Sequence, residues 1–141
     1  MAGISAILLA LQALGAAAPT ASVDIQVSGL RNDRGLVHAC LTRHPSHFPD
    51  CQGDPSAVTH SVAASAPSLL VSGLPPGTYA MALFHDENSN RKLDKFLGVP
   101  REGFGFSRNP IIRFGPPKFE QVHIKLGSGL TQQTVRMQYI L

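Results

Sequence analysis

From residue 23 onward the chain repeats apolar side chains at every second position. No stretch of ten residues there shows the i, i+3, i+4 spacing of an amphipathic helix. A period of two puts alternate side chains on opposite faces of a strand, one face for a core and one for water. Val23, Ile25 and Val27 alternate with Asp24, Gln26 and Ser28, and Val37, Ala39 and Leu41 share one face of 36–42. Residues 59–63 and 68–71 are short strand candidates. Tyr79, Met81 and Leu83 interleave with Ala80, Ala82 and Phe84, apolar on both faces as a central strand would be. Val122, Ile124 and Leu126 alternate with polar neighbours, and Val135, Met137, Tyr139 and Leu141 close the chain. Turn formers separate these runs, most clearly Leu74-Pro75-Pro76-Gly77 before Tyr79. About seven short strands punctuated in this way predict an antiparallel β-sandwich, immunoglobulin-like or transthyretin-like, as a single domain over 22–141.

The first 23 residues carry no charged side chain, and residues 4–14 form an apolar run followed by Gly15-Ala16-Ala17-Ala18. An apolar segment of about 7–15 residues before small residues is the layout of a secretory signal peptide. It falls short of the roughly 20 residues that span a bilayer. We read residues 1–21 as a signal peptide with cleavage between 16 and 21, and the mature chain as lacking a transmembrane helix. A buried N-terminal helix is the alternative.

Export alters the meaning of Cys40 and Cys51, which enclose ten residues rich in turn formers. An even cysteine count in an oxidising compartment predicts a disulfide. His44 and His47 in the same loop leave a Cys-His metal site as the other reading.

Residues 87–118 break the alternation for 32 residues, yet hold four of the seven Phe: Phe96, Phe104, Phe106 and Phe114. That aromatic load predicts a Gly/Pro/Phe-rich loop packed onto the sandwich. Long ordered loops on a rigid sheet scaffold commonly carry function. Seven cationic side chains against three anionic ones make the loop basic. At its start, Asp86, Asn88, Asn90, Lys92 and Asp94 match the 1, 3, 5, 7, 9 register of a calcium loop, Lys92 contributing its backbone carbonyl. Arg91 stands where such loops favour Gly, and Leu97 where they place a bidentate Glu. The competing reading is a turn whose Asp and Asn side chains cap their own backbone.

Taken together, the run LPPGTYAMALFHDENSNRKLD at 74–94, Gly98-Val99-Pro100-Arg101-Glu102-Gly103-Phe104-Gly105-Phe106-Ser107, and Gly115-Pro116-Pro117-Lys118-Phe119-Glu120 resemble a bacterial exported family, domain of unknown function 2141. The resemblance spans essentially all of the mature chain. It implies a β-sandwich and an envelope location, and no particular chemistry. In that family the position of Arg91 is usually Gly.

The leading functional expectation is a non-enzymatic periplasmic or extracellular module. It would use the 86–118 loop, with Arg101, Glu102, Phe104, Phe106 and Ser107 as candidate binding residues. Its partner would be an anionic envelope component or another envelope protein, with calcium as a weak occupant. A structural protein pairing through a sheet edge is one alternative. A hydrolase-type enzyme is another, with His85 and Asp86 as its best acid–base pair. Neighbouring strand residues point to opposite faces, however, which sets those two apart. No G-x-S-x-G or H-E-x-x-H pattern is present, so no catalytic residue is assigned. Export and the lack of a basic-aromatic motif argue against nucleic-acid binding.

Overall fold

The computed structural model describes residues 18–141, so residues 1–17 of the predicted signal peptide lie outside the described residues. The strands are β1 (Ala21–Ser28), β2 (Leu36–Thr42), β3 (Val58–Ala63), β4 (Ser68–Leu74), β5 (Gly77–Asp86), β6 (Lys95–Phe96), β7 (Val99–Pro100), β8 (Phe104–Phe106), β9 (Ile124–Leu126) and β10 (Gly129–Arg136). A 3-10 turn (Pro45–His47) and one helical turn, α1 (Phe119–Val122), complete the elements. One sheet has the order β10-β1-β4 and the other β3-β2-β5-β8, with β9 on the first residues of β5 and β6-β7 as a separate hairpin. No described helix is long and apolar enough to cross a membrane.

The expected alternation builds the core between the sheets. Val23, Ile25 and Val27, Val37, Ala39 and Leu41, Leu69, Val71 and Leu74, and Tyr79, Met81 and Leu83 pack in one buried cluster. Burying one such side chain is worth roughly 1.5–3 kcal/mol, so this layer carries most of the favourable term. The odd residues of β5 face this core. Its even residues, Ala80 and Ala82, join a second cluster with Phe104, Phe106, Phe119 and Val122 on the far side of the sheet.

Three details depart from the expected pattern. β1 and β10 run parallel, Ala21 opposite Gly129 through Ser28 opposite Arg136, while the other described strand pairs are antiparallel. Periodicity carries no direction, so the sequence is silent on that pairing. The last strand runs from Gly129 to Arg136 and not on through Leu141; its first half left no apolar alternation, since its outer residues are polar and Leu130 is exposed. Val122 ends α1, whose entry is held by the Lys118 N–H donating to Gln121 Oε1 at 2.8 Å.

Candidate functional site

The face of the second sheet turned away from the core is laid out as a grid by the strand register. One row reads Thr59, Cys40, Ala82, Phe106 across the four strands, and the next reads Ser61, His38, Phe84, Phe104. These eight positions floor a groove of about 990 Å³, at the upper end of the roughly 300–1,000 Å³ typical of small-molecule sites. Pro49, Asp50 and Gln52 of the cysteine loop line one wall, and Arg91, Lys95 and Pro100 line another. Ile112, Phe114 and Pro116 also line it. Cys40 is bonded to Cys51, with Cα atoms 6.0 Å apart. The disulfide therefore ties a floor residue to the wall beside it.

That wall has its own polar anchor. Thr42 Oγ1 donates to Asp54 Oδ2 at 2.6 Å, while Ser56 donates both its N–H and its hydroxyl to Asp54 Oδ1. The Thr42 bond, with the Ser56 donors, holds the Asp54 carboxyl down at about 2. His47 Nδ1 contacts the Gln52 carbonyl and His44 Nε2 contacts Ser56 Oγ. Each of the two imidazoles suggested for a metal thus has one ring nitrogen in a protein hydrogen bond.

A polar array crosses the second row. Ser61 Oγ lies 2.6 Å from His38 Nδ1, and His38 Nε2 lies 2.8 Å from Asp86 Oδ2. Asp86 is fully buried and also accepts the backbone N–H groups of Asn90 (3.1 Å) and Arg91 (2.8 Å). His38 and Ser61 were not singled out in the sequence, since only the register links positions 38, 61 and 86. His85 turns to the core instead. Its Nε2 faces the Arg34 carbonyl at 2.7 Å, which can only accept, so that nitrogen carries hydrogen and Nδ1 is left to meet Tyr139 Oη at 2.8 Å. His85 and Asp86 are thus on opposite faces, as strand geometry requires.

The Asp/Asn segment is arranged mainly by hydrogen bonds to itself. The Asn88 and Asn90 side-chain amides donate to Asp94, at 2.8 and 2.9 Å, and Asn90 Oδ1 accepts the Lys92 N–H. The Asn90 and Asn88 donors hold the Asp94 carboxyl below the usual aspartate range. Among the described residues, no group of three or more His, Cys, Asp or Glu side chains is placed to hold a metal ion. Arg91 has φ +62°, the left-handed region where Gly is unstrained. Glu102 clamps this turn from within, taking the Glu87 N–H on Oε2 (2.7 Å) and the Asp94 N–H on Oε1 (3.0 Å). Burial pushes its carboxyl above the usual glutamate range despite those two donors.

The other candidate binding residues divide between floor and framework. Phe104 and Phe106 form β8, pairing with Phe84 and Ala82. Gly103 and Gly105 point toward the C-terminal strand. A Cβ at Gly103 would enter the Tyr139 ring, and one at Gly105 would lie 2.7 Å from Val135 Cγ1. The alternation of Gly and Phe is therefore a packing device, with aromatics outward and no side chain where another strand presses close. Ser107 is buried; its hydroxyl donates to the Val122 carbonyl at 2.5 Å and accepts the Met81 N–H at 3.1 Å. Arg101 is exposed, and its carbonyl accepts from Arg31 Nη2.

No curated protein and no solved structure matches the chain. A family model described as an uncharacterized protein conserved in bacteria (DUF2141) matches residues 25–134, from within β1 to near the end of β10. That span contains most of both sheets, the disulfide loop, the clamped turn and most of the groove lining. The chain belongs to the bacterial family DUF2141.

Proposed function

We propose that the protein is an exported envelope domain of the bacterial periplasm or extracellular space, and that it binds a ligand in the groove on the outer face of its second sheet. The groove carries this reading: an apolar floor of paired strands, walled by a disulfide-tied loop and by the 86–118 segment. The apolar, small-residue segment at the N-terminus and the disulfide support export. A neutral apolar dye, Nile red, tests binding without reference to charge. Fluorescence enhancement should be lost in Thr59→Trp, which fills the floor, and kept in Leu70→Trp on the other sheet. Equal enhancement in both variants would place the dye elsewhere. Export is read by cell fractionation and N-terminal sequencing. The recovered chain should start between residues 17 and 22, and a cytoplasmic chain starting at Met1 would contradict it.

A hydrolase reading has one observation behind it, the Ser61–His38–Asp86 hydrogen-bonded series at the edge of the groove. The imidazole is turned the other way from the familiar triad, in which the carboxylate meets Nδ1 and the serine Nε2. Binding is therefore placed first. A fluorophosphonate probe decides between them, since attack by Ser61 Oγ would expel fluoride and leave a phosphonylated serine. An unlabelled protein ends the hydrolase reading.

A further inference from the structure

The groove has an asymmetric lining, and the asymmetry names a ligand class. Along β5 the floor passes from Ala82, packed with Phe106, Phe48 and Ile112, to Phe84, which pairs with His38. The first end gathers these apolar side chains, with Thr59 in the same row and Asp50 and Gln52 on the adjoining wall. Beyond the second end lies Arg91, whose N–H shares the Asp86 carboxylate with His38. Arg91, Lys92, Lys95 and Arg113 line the groove against a single carboxylate, Asp50. None of these four cations forms an ion pair with a carboxylate among the described residues, whereas Arg31 and Arg34 both engage Glu87. At the mouth Phe114 is 96% exposed and lines the groove from the Gly115-Pro116 turn. Leu97, 89% exposed, tips the β6-β7 hairpin.

We infer that the groove takes a single-chain anionic amphiphile. Its acyl chain lies over Ala82, Phe106 and Ile112, and its carboxylate or phosphate lies among Arg91, Lys92 and Lys95. The floor alone would accept any apolar molecule; the uncompensated cations select the anionic one. A long-chain cation is excluded by the same charges, and a neutral alcohol gains only the apolar contact. The inference rests on the groove being a binding site and adds the charge and shape of what it binds.

The test uses the protein as recovered from the producing cell, titrated calorimetrically with decanoate, 1-decanol and decyltrimethylammonium as monomers. Decanoate should bind, octanoate about tenfold more weakly for its two missing methylenes, and 1-decanol about tenfold more weakly than decanoate. The triple variant Lys92→Glu, Lys95→Glu, Arg113→Glu should bring decanoate down to the level of 1-decanol. These side chains are exposed, and an unchanged urea-unfolding midpoint checks that the variant is intact. Equal affinity for decanoate and 1-decanol in the wild type would overturn the anionic inference and leave groove binding standing. Decanoate binding that persists in Thr59→Trp would overturn it by placing the ligand outside the groove. Adsorption to anionic phospholipid vesicles without monomer binding would replace it with a membrane surface. Failure of all three amphiphiles, together with loss of the Nile red signal, would remove the binding reading itself.

Discussion

The two faces of β5 are built from the same alternating apolar sequence and meet different fates. Tyr79, Met81 and Leu83 face the opposing sheet and are almost fully buried. Ala82 and Phe84, the residues between and beyond them, are only half-buried and look into the groove. On the inner side, Gly103 and Gly105 give up their side chains so that the C-terminal strand can press close. On the outer side, Phe104 and Phe106 from the same strand are buried in a cluster with Phe48 and Phe119, while Ala82 and Phe84 beside them remain half-buried at the groove. A disulfide on one side and a clamped turn on the other border this face, and the binding proposal rests on that arrangement.

The contrast can be broken most sharply by truncating neighbours. Leu83→Ala should cost about 3 kcal/mol in urea unfolding, as buried leucines do. Phe84→Ala should cost about 1 kcal/mol, since its ring is only half removed from water. If Phe84→Ala costs as much as Leu83→Ala, the outer face is a second core and not a groove. Removing the wall tie by Cys40→Ser with Cys51→Ser should cost about 3 kcal/mol by the loop-entropy estimate. Nile red binding should weaken along with stability, because the wall and the floor share that bond.

A smaller effect concerns pH. The folded Asp54 titrates at about 2 against an ordinary 3.8, so its contribution is fully present above about pH 4 and is lost as pH falls through 2. The stability gap between wild type and Asp54→Asn should therefore be constant from pH 7 to 5 and shrink between pH 4 and 2. A gap that is unchanged at pH 2 would show that the carboxylate charge does not anchor the wall. Smallest of all is the strain in the clamped turn. Arg91→Gly should add about 1 kcal/mol of stability by relieving a left-handed backbone, while removing one groove cation. Calcium at about 10 mM, above the weak extracellular range, should leave the melting temperature of the wild type unchanged. A shift abolished by Asp94→Ala would restore the cation reading of Asp86, Asn88, Asn90, Lys92 and Asp94.

Much of the sandwich was legible because burial of one strand face leaves a period-two trace. β1, β2 and β5 fall where Val23, Val37 and Tyr79 indicate. β8 left no such trace, since its three residues alternate Phe and Gly and a missing side chain reads as a turn. The parallel β1·β10 pair was invisible because alternation specifies faces and not directions. The site was legible only in part. The cysteine pairing was expected from the even count and short spacing, whereas the Ser61–His38–Asp86 series exists only through the register of three strands. Glu102 and Ser107 stood out as loop residues, but their burial and their backbone partners are products of the fold.

The most direct measurement is amide shift mapping by two-dimensional NMR during titration with decanoate and 1-decanol. Binding at the outer face should move His38, Thr59, Ala82, Phe84 and the segment from Arg91 to Lys95, and leave Val23, Leu69 and Val135 in place. Shifts concentrated on β1, β4 and β10, or no shifts with either compound, would contradict the assignment of the groove as the binding face.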